Sequence, residues 1–301
     1  MTLLADLARE SPAYAELLRR VRSGEDRVVV AGGVGALPGL LLAALEKDLA
    51  RPLAIIVPDE KEAERLIHDL EAAGMTRVLR APAPTLTPYQ RIPASLKARR
   101  DEFALLSALA GEEPVGAAVL PARSLFTRLP SREEFVRLRV ALAQEDDVSL
   151  PGLIARLTRV GYRRADLAIE TGDLAVRGGL FDVFPPDREL PVRVELDGDR
   201  IASIRIFDPD TQRSRERLQS VALAPFAAGE ESEEARDLMT ERIGRPPSQV
   251  ESAVFAPAVS AMPAGWLDYA AGALLVEVEP AAVEEEIEEF SQRLAGDRDP
   301  D

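Results

Sequence analysis

The apolar residues of this chain recur in two patterns, and the first is a set of short continuous runs. They read RVVVA at residues 27–31, LAIIV at 53–57, VGAAVL at 115–120 and ALLVEV at 273–278, with a weaker run at 77–79. Runs of this length, separated by segments of helical periodicity, predict buried strands. Apolar strands that alternate with helices indicate a parallel sheet covered on both faces.

The second pattern is an alternation of apolar and polar residues between positions 161 and 207. Leu, Val and Ile recur there mostly at every second position, which is the period of a β-strand. Gly178-Gly179 and Asp197-Gly198-Asp199 are typical of tight turns, and Pro185-Pro186 ends the strand before it. The segment therefore predicts a short antiparallel meander, preceded by a helix over residues 149–160.

The order of the two patterns predicts the domain organisation. The first part of an α/β domain covers residues 1–136, a small α+β antiparallel inserted domain covers 137–207, and the second part of the α/β domain covers 208–301. The second part is expected to carry acidic C-terminal helices. Helices are predicted at residues 233–243, 248–259 and 281–294.

Length and composition exclude several classes of protein. The chain has 301 residues, no cysteine and a single histidine, His68. Disulfides, thiolate metal sites and histidine clusters are therefore excluded. No apolar run approaches the roughly 20 residues that span a bilayer, and the first residues are a poor secretory signal. We expect a cytoplasmic protein that does not associate with membranes.

The net charge of −15 is concentrated in the last third of the chain. Residues 208–301 contain 8 basic and 21 acidic side chains, whereas the rest of the chain is nearly neutral. Contacts with phosphates require cations, so an acidic chain is a poor general binder of nucleic acid. We expect no notable intrinsic affinity for DNA.

The glycine-rich turn after residues 27–31 precedes a helix, which is the arrangement of a phosphate-binding loop. Such a loop needs Lys and then Ser or Thr after its last glycine, yet Gly39 is followed by Leu40 and Leu41. Pro38 removes one N–H donor and occupies the position where a dinucleotide fingerprint needs glycine. The turn is expected to pack a helix on a sheet. We therefore predict no cofactor and no enzymatic activity.

Other candidate chemistry is limited. Asp208 and Asp210 flank a proline and could hold a metal ion, but bonds to the backbone of a turn explain them better. Asp182, between two apolar strand residues, is expected to face solvent or to pair with an arginine. Trp266 and Tyr269 are expected to be packing residues.

The segment from Gly161 to Phe207 contains the pieces GY-x-R, ETGDLAVRG, LFDVFP and ELPVRVELDGDRIASIRIF. In these pieces the chain resembles the small inserted domain shared by the excinuclease B subunit (UvrB) and the transcription-repair coupling factor (Mfd). The resemblance weakens outside residues 161–225. An excinuclease B subunit should carry an intact phosphate-binding loop, so the coupling factor is the better match. The resemblance implies a degenerate, helicase-like nucleotide-binding half around the insert.

The same resemblance implies a partner and a site. In this family the inserted domain is a docking surface for the excinuclease A subunit (UvrA), with arginines around a hairpin. Carried over to this chain, those arginines are Arg164 and Arg177. The family's further arginine corresponds to Ala175, so that contact is absent or supplied otherwise. Phe181 is the candidate apolar anchor, because in a regular hairpin it is expected to share the parity of Arg177, although a core role is nearly as well supported.

The implied function is recruitment of nucleotide excision repair to a stalled RNA polymerase, without catalysis by this chain. RNA polymerase and DNA would be bound only through downstream domains that this sequence does not contain. Two alternatives stay open. One is an enzyme with an unrecognised nucleotide or small-molecule pocket at the strand ends, and the other is an autoinhibitory structural domain that packs on a missing translocase motor.

Overall fold

The structure, a computed structural model, divides into two compact units. It describes residues 8–84, 96–111, 115–227 and 262–298, together with positions 237, 240, 241 and 244. The first unit comprises Met1–Gln90, Gly111–Thr127 and Gly265–Asp301, and the second comprises Arg91–Ala110 and Arg128–Ala264. Within the described residues, no helix combines the length and the apolar character that a bilayer span requires.

The first unit is a parallel sheet with helices. Its elements are α1 (Pro12–Arg22), α2 (Leu37–Leu49), β1 (Leu53–Val57), α3 (Glu60–Ala72), β2 (Val78–Arg80), β3 (Ala117–Pro121), a 3₁₀ turn (Ala122–Phe126), α7 (Trp266–Tyr269), β12 (Leu274–Glu277) and α8 (Pro280–Arg298). The strand order is β12-β1-β3-β2, and every pair is parallel. Strands β1 and β3 are buried along their whole length, as their continuous apolar runs predict.

One predicted strand of this unit is wrong. Residues 27–31 form no strand, and Val29 and Val30 are 70% and 54% exposed. A continuous apolar run becomes a strand only where a neighbouring edge pairs with it, and neither β12 nor β2 pairs with these residues. The parallel sheet predicted from the other runs is otherwise present.

The second unit is built around a six-stranded sheet. Its elements are α4 (Leu96–Ala110), α5 (Arg132–Leu138), β4 (Val140–Ala143), α6 (Leu150–Arg159), β5 (Arg163–Arg164), β6 (Asp173–Arg177), β7 (Leu180–Val183), β8 (Val192–Asp197), β9 (Arg200–Phe207), β10 (Ser214–Leu218) and β11 (Ser220–Leu223). The order β10-β9-β8-β7-β6-β5 is antiparallel except for the parallel pair β5–β6. Ser149 caps α6 by accepting a hydrogen bond from the backbone N–H of Gly152.

The strand period explains which face of this sheet is buried. Leu174, Val183, Val192 and Val194 lie on one face and are fully buried, with Ile204 beside them on β9. The other face carries charged residues, among them Arg177 and Arg193, but it also buries Ala175 and Phe207. The alternation of apolar and polar positions is the one that the sequence predicts for antiparallel strands.

A second, two-stranded sheet joins β4 to β11, with Val140 opposite Leu223. The chain therefore enters and leaves the six-stranded sheet through one antiparallel pair. Residue 207, the predicted end of the inserted domain, precedes both β10 and β11. The domain boundaries 1–136, 137–207 and 208–301 stay predictions.

The α/β class that the sequence predicts is confirmed, with one parallel sheet and antiparallel sheets. The helix predicted at residues 281–294 lies within α8. The helices predicted at 233–243 and 248–259 fall largely outside the residues that the structure describes.

Candidate partner-binding site

The hairpin of β6 and β7 holds two of the three predicted contact residues. Gly178 and Gly179 form its two-residue turn, with Gly178 at a φ of 60°. The register places Arg177 opposite Leu180 and Val176 opposite Phe181. Residues that are directly opposite in an antiparallel pair share a face, so Leu180, and not Phe181, shares the face of Arg177.

Phe181 belongs to the core. Its side chain is 0% exposed, on the face that also buries Val194 and Ile204. The prediction that Phe181 shares the face of Arg177 is wrong. Across a two-residue turn an even number of residues separates any two paired positions, so Arg177 pairs with Leu180 and not with Phe181. A fully buried ring offers no surface to a partner.

Arg177 is exposed at the end of β6. Its guanidinium donates a hydrogen bond to the backbone carbonyl oxygen of Asp166, at 3.0 Å. Asp166 lies in the segment of residues 165–172 that connects β5 to β6. One bond of the guanidinium thus fixes its position against the neighbouring loop, while the exposed remainder is available to a partner.

Arg164 is exposed on β5, an edge strand of the sheet. It pairs in register with Leu174, whereas Arg163 pairs with Asp173. Arg163 therefore lies on the face of Arg177, and Arg164 lies on the opposite face at the sheet edge. Arg164 and Arg177 thus lie on the two neighbouring strands at one edge of the sheet, but on opposite faces.

Arg163 forms structural ion pairs that the sequence did not indicate. Its Nε donates to Oδ1 of Asp173 at 2.8 Å, and its Nη2 donates to Oε2 of Glu170 at 2.7 Å. The hydrogen bonds to Glu170 and Asp173 raise the pKa of Arg163. The guanidinium is thus already committed to two carboxylates within its own chain, unlike Arg164.

Asp182 and Arg193 form an ion pair on the face of the sheet that carries Arg177. Nε and Nη2 of Arg193 each donate to one oxygen of Asp182, both at 2.7 Å. Arg193 also donates to Oε1 of Gln212 at 2.8 Å and lies over the ring of Phe207, 4.2 Å from its centroid. The hydrogen bond to Asp182 raises the pKa of Arg193. Of the two expectations for Asp182, the arginine pair is the one found.

The Asp208–Asp210 segment is a turn. Oδ1 of Asp208 accepts hydrogen bonds from the backbone N–H groups of Asp210 and Thr211, at 3.1 and 3.0 Å. The bond from Thr211, followed by the side chain of Arg215, lowers the pKa of Asp208. Within the described residues, no group of three or more His, Cys, Asp or Glu side chains could hold a metal ion.

Gly39, in the first turn of α2, has a packing role. A Cβ atom built on Gly39 would lie 2.6 Å from Cβ of Asp69, so the absence of a side chain lets α2 approach α3 closely. Leu40 and Leu41 pack against the core of the first unit. Trp266 and Tyr269 are buried, in agreement with the expected packing roles.

The comparison with known proteins bears on the second unit most strongly. Residues 140–228 match the family model described as the UvrB interaction domain. The chain is 34% identical over 219 residues to the transcription-repair-coupling factor of Myxococcus xanthus, covering 70% of this chain and 18% of that protein. The resemblance predicted from the sequence is confirmed.

Two further relatives give the range of the similarity. The transcription-repair-coupling factor of Bacillus subtilis is 29% identical, with 72% of this chain and 18% of that protein covered. The UvrABC system protein B of Streptomyces avermitilis is 28% identical, with 66% of this chain and 30% of that protein covered. The chain therefore spans less than a fifth of the length of these two coupling factors. Residues 140–228, the UvrB-interaction region, contain Arg164, Arg177 and Leu180.

Proposed function

We propose that this chain is a non-catalytic recruitment module of transcription-coupled DNA repair, which binds UvrA and so brings nucleotide excision repair to a stalled RNA polymerase. The observation that carries the proposal is the match of residues 140–228 to the UvrB interaction domain. The similarity to proteins named transcription-repair-coupling factor and UvrABC system protein B supports the same role.

The proposed docking surface extends around the β5 side of the six-stranded sheet, with Arg177 and Leu180 on one face and Arg164 at the edge on the other face. Arg164 is exposed and has no side-chain partner among the described residues, while Arg177 is exposed and fixed by a single bond to Asp166. Arginine suits such a surface because its planar fork binds a carboxylate with two hydrogen bonds. The partner surface on UvrA would present carboxylates to the two guanidinium groups.

We further propose that the first unit is a degenerate nucleotide-binding half, as in a helicase. Its parallel sheet and the glycine-rich turn before α2 support this origin. The Lys and hydroxyl that a phosphate-binding loop requires are replaced by Leu40 and Leu41, and Gly39 packs against Asp69. Contacts with RNA polymerase and DNA would come from other parts of a full-length protein.

Isothermal titration of purified UvrA with this chain tests the proposal. We expect saturable binding, and we expect residues 140–228 to account for it. The absence of heat and of complex formation by size-exclusion chromatography would overturn the proposed function. Saturable binding of a nucleotide or of a metabolite, with no binding of UvrA, would instead favour an enzyme.

A further inference from the structure

The segment connecting β5 to β6, residues 165–172, exposes a large aliphatic side chain. Ile169 is 51% exposed, although isoleucine is one of the residues most often buried in proteins. Within the described part of the second unit, the only comparably exposed large aliphatic residue is Val136, at 45% on α5. Single exposed aliphatic residues are ordinary on protein surfaces, so a binding role for Ile169 has to be argued from its surroundings.

A buried carboxylate holds the backbone at Ile169. The side chain of Asp173 is 4% exposed, and its Oδ2 accepts hydrogen bonds from the N–H groups of Ile169 and Glu170, at 3.2 and 2.8 Å. Its Oδ1 accepts from Nε of Arg163 at 2.8 Å. All three bonds converge on one side chain of β6, so the loop is tied to the sheet at its exposed tip.

The far end of the loop is fixed by packing. The N–H of Gly172 donates to the carbonyl oxygen of Phe184 at 2.7 Å, and its φ is +92°, which favours glycine. A Cβ on Gly172 would lie 2.5 Å from the ring of Phe226. These bonds and contacts restrain the loop, and a restrained loop loses less conformational entropy on binding.

This loop is continuous with the proposed docking surface. Arg177 donates to the backbone oxygen of Asp166 at the start of the loop, and Asp173, which holds Ile169, begins the strand that ends at Arg177. Four residues of β-strand span about 13 Å. Ile169 and Arg177 thus fit within one interface, because a standard interface covers about 800 Å² on each partner.

We propose that Ile169 is an apolar contact of the UvrA docking surface, in addition to Leu180, and takes the role that the sequence suggested for Phe181. The assignment rests on the proposed function. Side chains that are buried at the centre of an interface, inside a polar rim that excludes water, contribute most of the binding energy. The partner surface would be an apolar depression on UvrA beside the carboxylates that meet Arg164 and Arg177.

Titration of UvrA with the parent chain and three variants tests the assignment. Ile169→Asp places a charge in the apolar contact, Ile169→Ala shortens the side chain without a charge, and Val136→Asp is the matched control in the same unit. We expect Ile169→Asp to weaken binding at least about 30-fold, Ile169→Ala to weaken it about 5-fold to 10-fold and Val136→Asp to leave it within about 2-fold. Thermal unfolding should be unchanged by Ile169→Ala.

The outcomes separate the two proposals. If the parent does not bind UvrA, the proposed function fails and the assignment of Ile169 fails with it. If the parent binds and both Ile169 variants bind equally well, Ile169 is not a contact while the proposed function stands. Loss with Ile169→Asp but full binding by Ile169→Ala would refute an apolar contact. If Val136→Asp and Ile169→Asp weakened UvrA binding equally, the effect would not come from a local contact at Ile169.

Discussion

Asp182 and Arg193 face each other across β7 and β8 and form a bidentate ion pair, with both nitrogen–oxygen distances at 2.7 Å. The side chains are only 2% and 15% exposed, respectively. Asp182 pairs with Ala175, two positions before Arg177 on β6, so the ion pair lies on the same face of the sheet as Arg177. It anchors β7, the second strand of the hairpin, to β8.

Asp182→Asn should destabilise the second unit by about 3 kcal/mol. Removing one partner of a buried pair leaves the other charge uncompensated, and such losses are typically about 3–5 kcal/mol. Urea unfolding followed by far-ultraviolet circular dichroism measures the change. The control is Glu16→Gln, which breaks the exposed pair with Arg19 and should change stability little. A shift no larger than that of the control would show that the pair does not hold the hairpin.

Gly39→Ala should destabilise the first unit by about 1–3 kcal/mol, because the new Cβ would lie 2.6 Å from Cβ of Asp69. The single tryptophan, Trp266, is buried in this unit, so its fluorescence during urea unfolding reports the change. Gly296→Ala in α8 is the control, since nothing lies within 4 Å and alanine favours a helix. Equal stability of the two variants would contradict the close approach of α2 to α3.

Stability should depend on pH through Glu102, a half-buried residue of α4. Burial raises the pKa of Glu102 from the ordinary 4.5 to about 7, only partly offset by the nearby Arg99. Between these values the folded state retains a proton that the unfolded state releases. This contribution to stability is therefore full below pH 4.5, falls as the pH rises to 7 and is absent above it.

Glu102→Gln removes this dependence, so the variant should be more stable than the parent at pH 8 and closer to it at pH 5. The parent should lose at most about 1.4 kcal/mol per pH unit through this residue. Urea unfolding at pH 5, 6, 7 and 8 gives both curves. Glu133→Gln, an exposed change on α5, is the control. Parallel curves for the parent and Glu102→Gln would contradict the raised pKa.

The chain should not bind ATP, because Leu40 and Leu41 stand where a phosphate-binding loop has Lys and a hydroxyl. A fluorescent ATP analogue titrated in the presence of magnesium should show no saturation. Micromolar binding, equivalent to about −8 kcal/mol, would contradict the prediction.

The sequence predicted well where one local pattern decides the structure. The runs at 53–57 and 115–120 correspond to neighbouring strands of one parallel sheet, and both strands are buried along their whole length, as continuous apolar runs predict. The run at residues 27–31 is also rich in apolar residues but pairs with no strand, and pairing depends on residues distant in the chain. Pattern alone could not distinguish these cases.

The candidate site was also only partly predictable from the sequence. Arg177 could be placed from the hairpin, and the register of a two-residue turn at Gly178-Gly179 would also have placed Leu180, rather than Phe181, on its face. Ile169 could not be found in this way. Its position depends on Asp173, whose three hydrogen bonds join residues from two strands and a loop.

The most direct test of the account is a titration of UvrA with Arg177→Glu, compared with the parent and with Arg217→Glu. Arg217 is exposed on β10, the opposite edge strand of the same sheet, about 24 Å from β5 across five strand spacings. Both variants make the same change of charge at an exposed strand position, so thermal unfolding of each should remain near that of the parent.

Loss of a desolvated charge pair costs about 2–5 kcal/mol, and reversing the sign adds repulsion. The account therefore predicts that Arg177→Glu binds UvrA at least about 100-fold more weakly than the parent, while Arg217→Glu binds like the parent. An Arg177→Glu chain that unfolds normally and binds UvrA with the parent's affinity would contradict it.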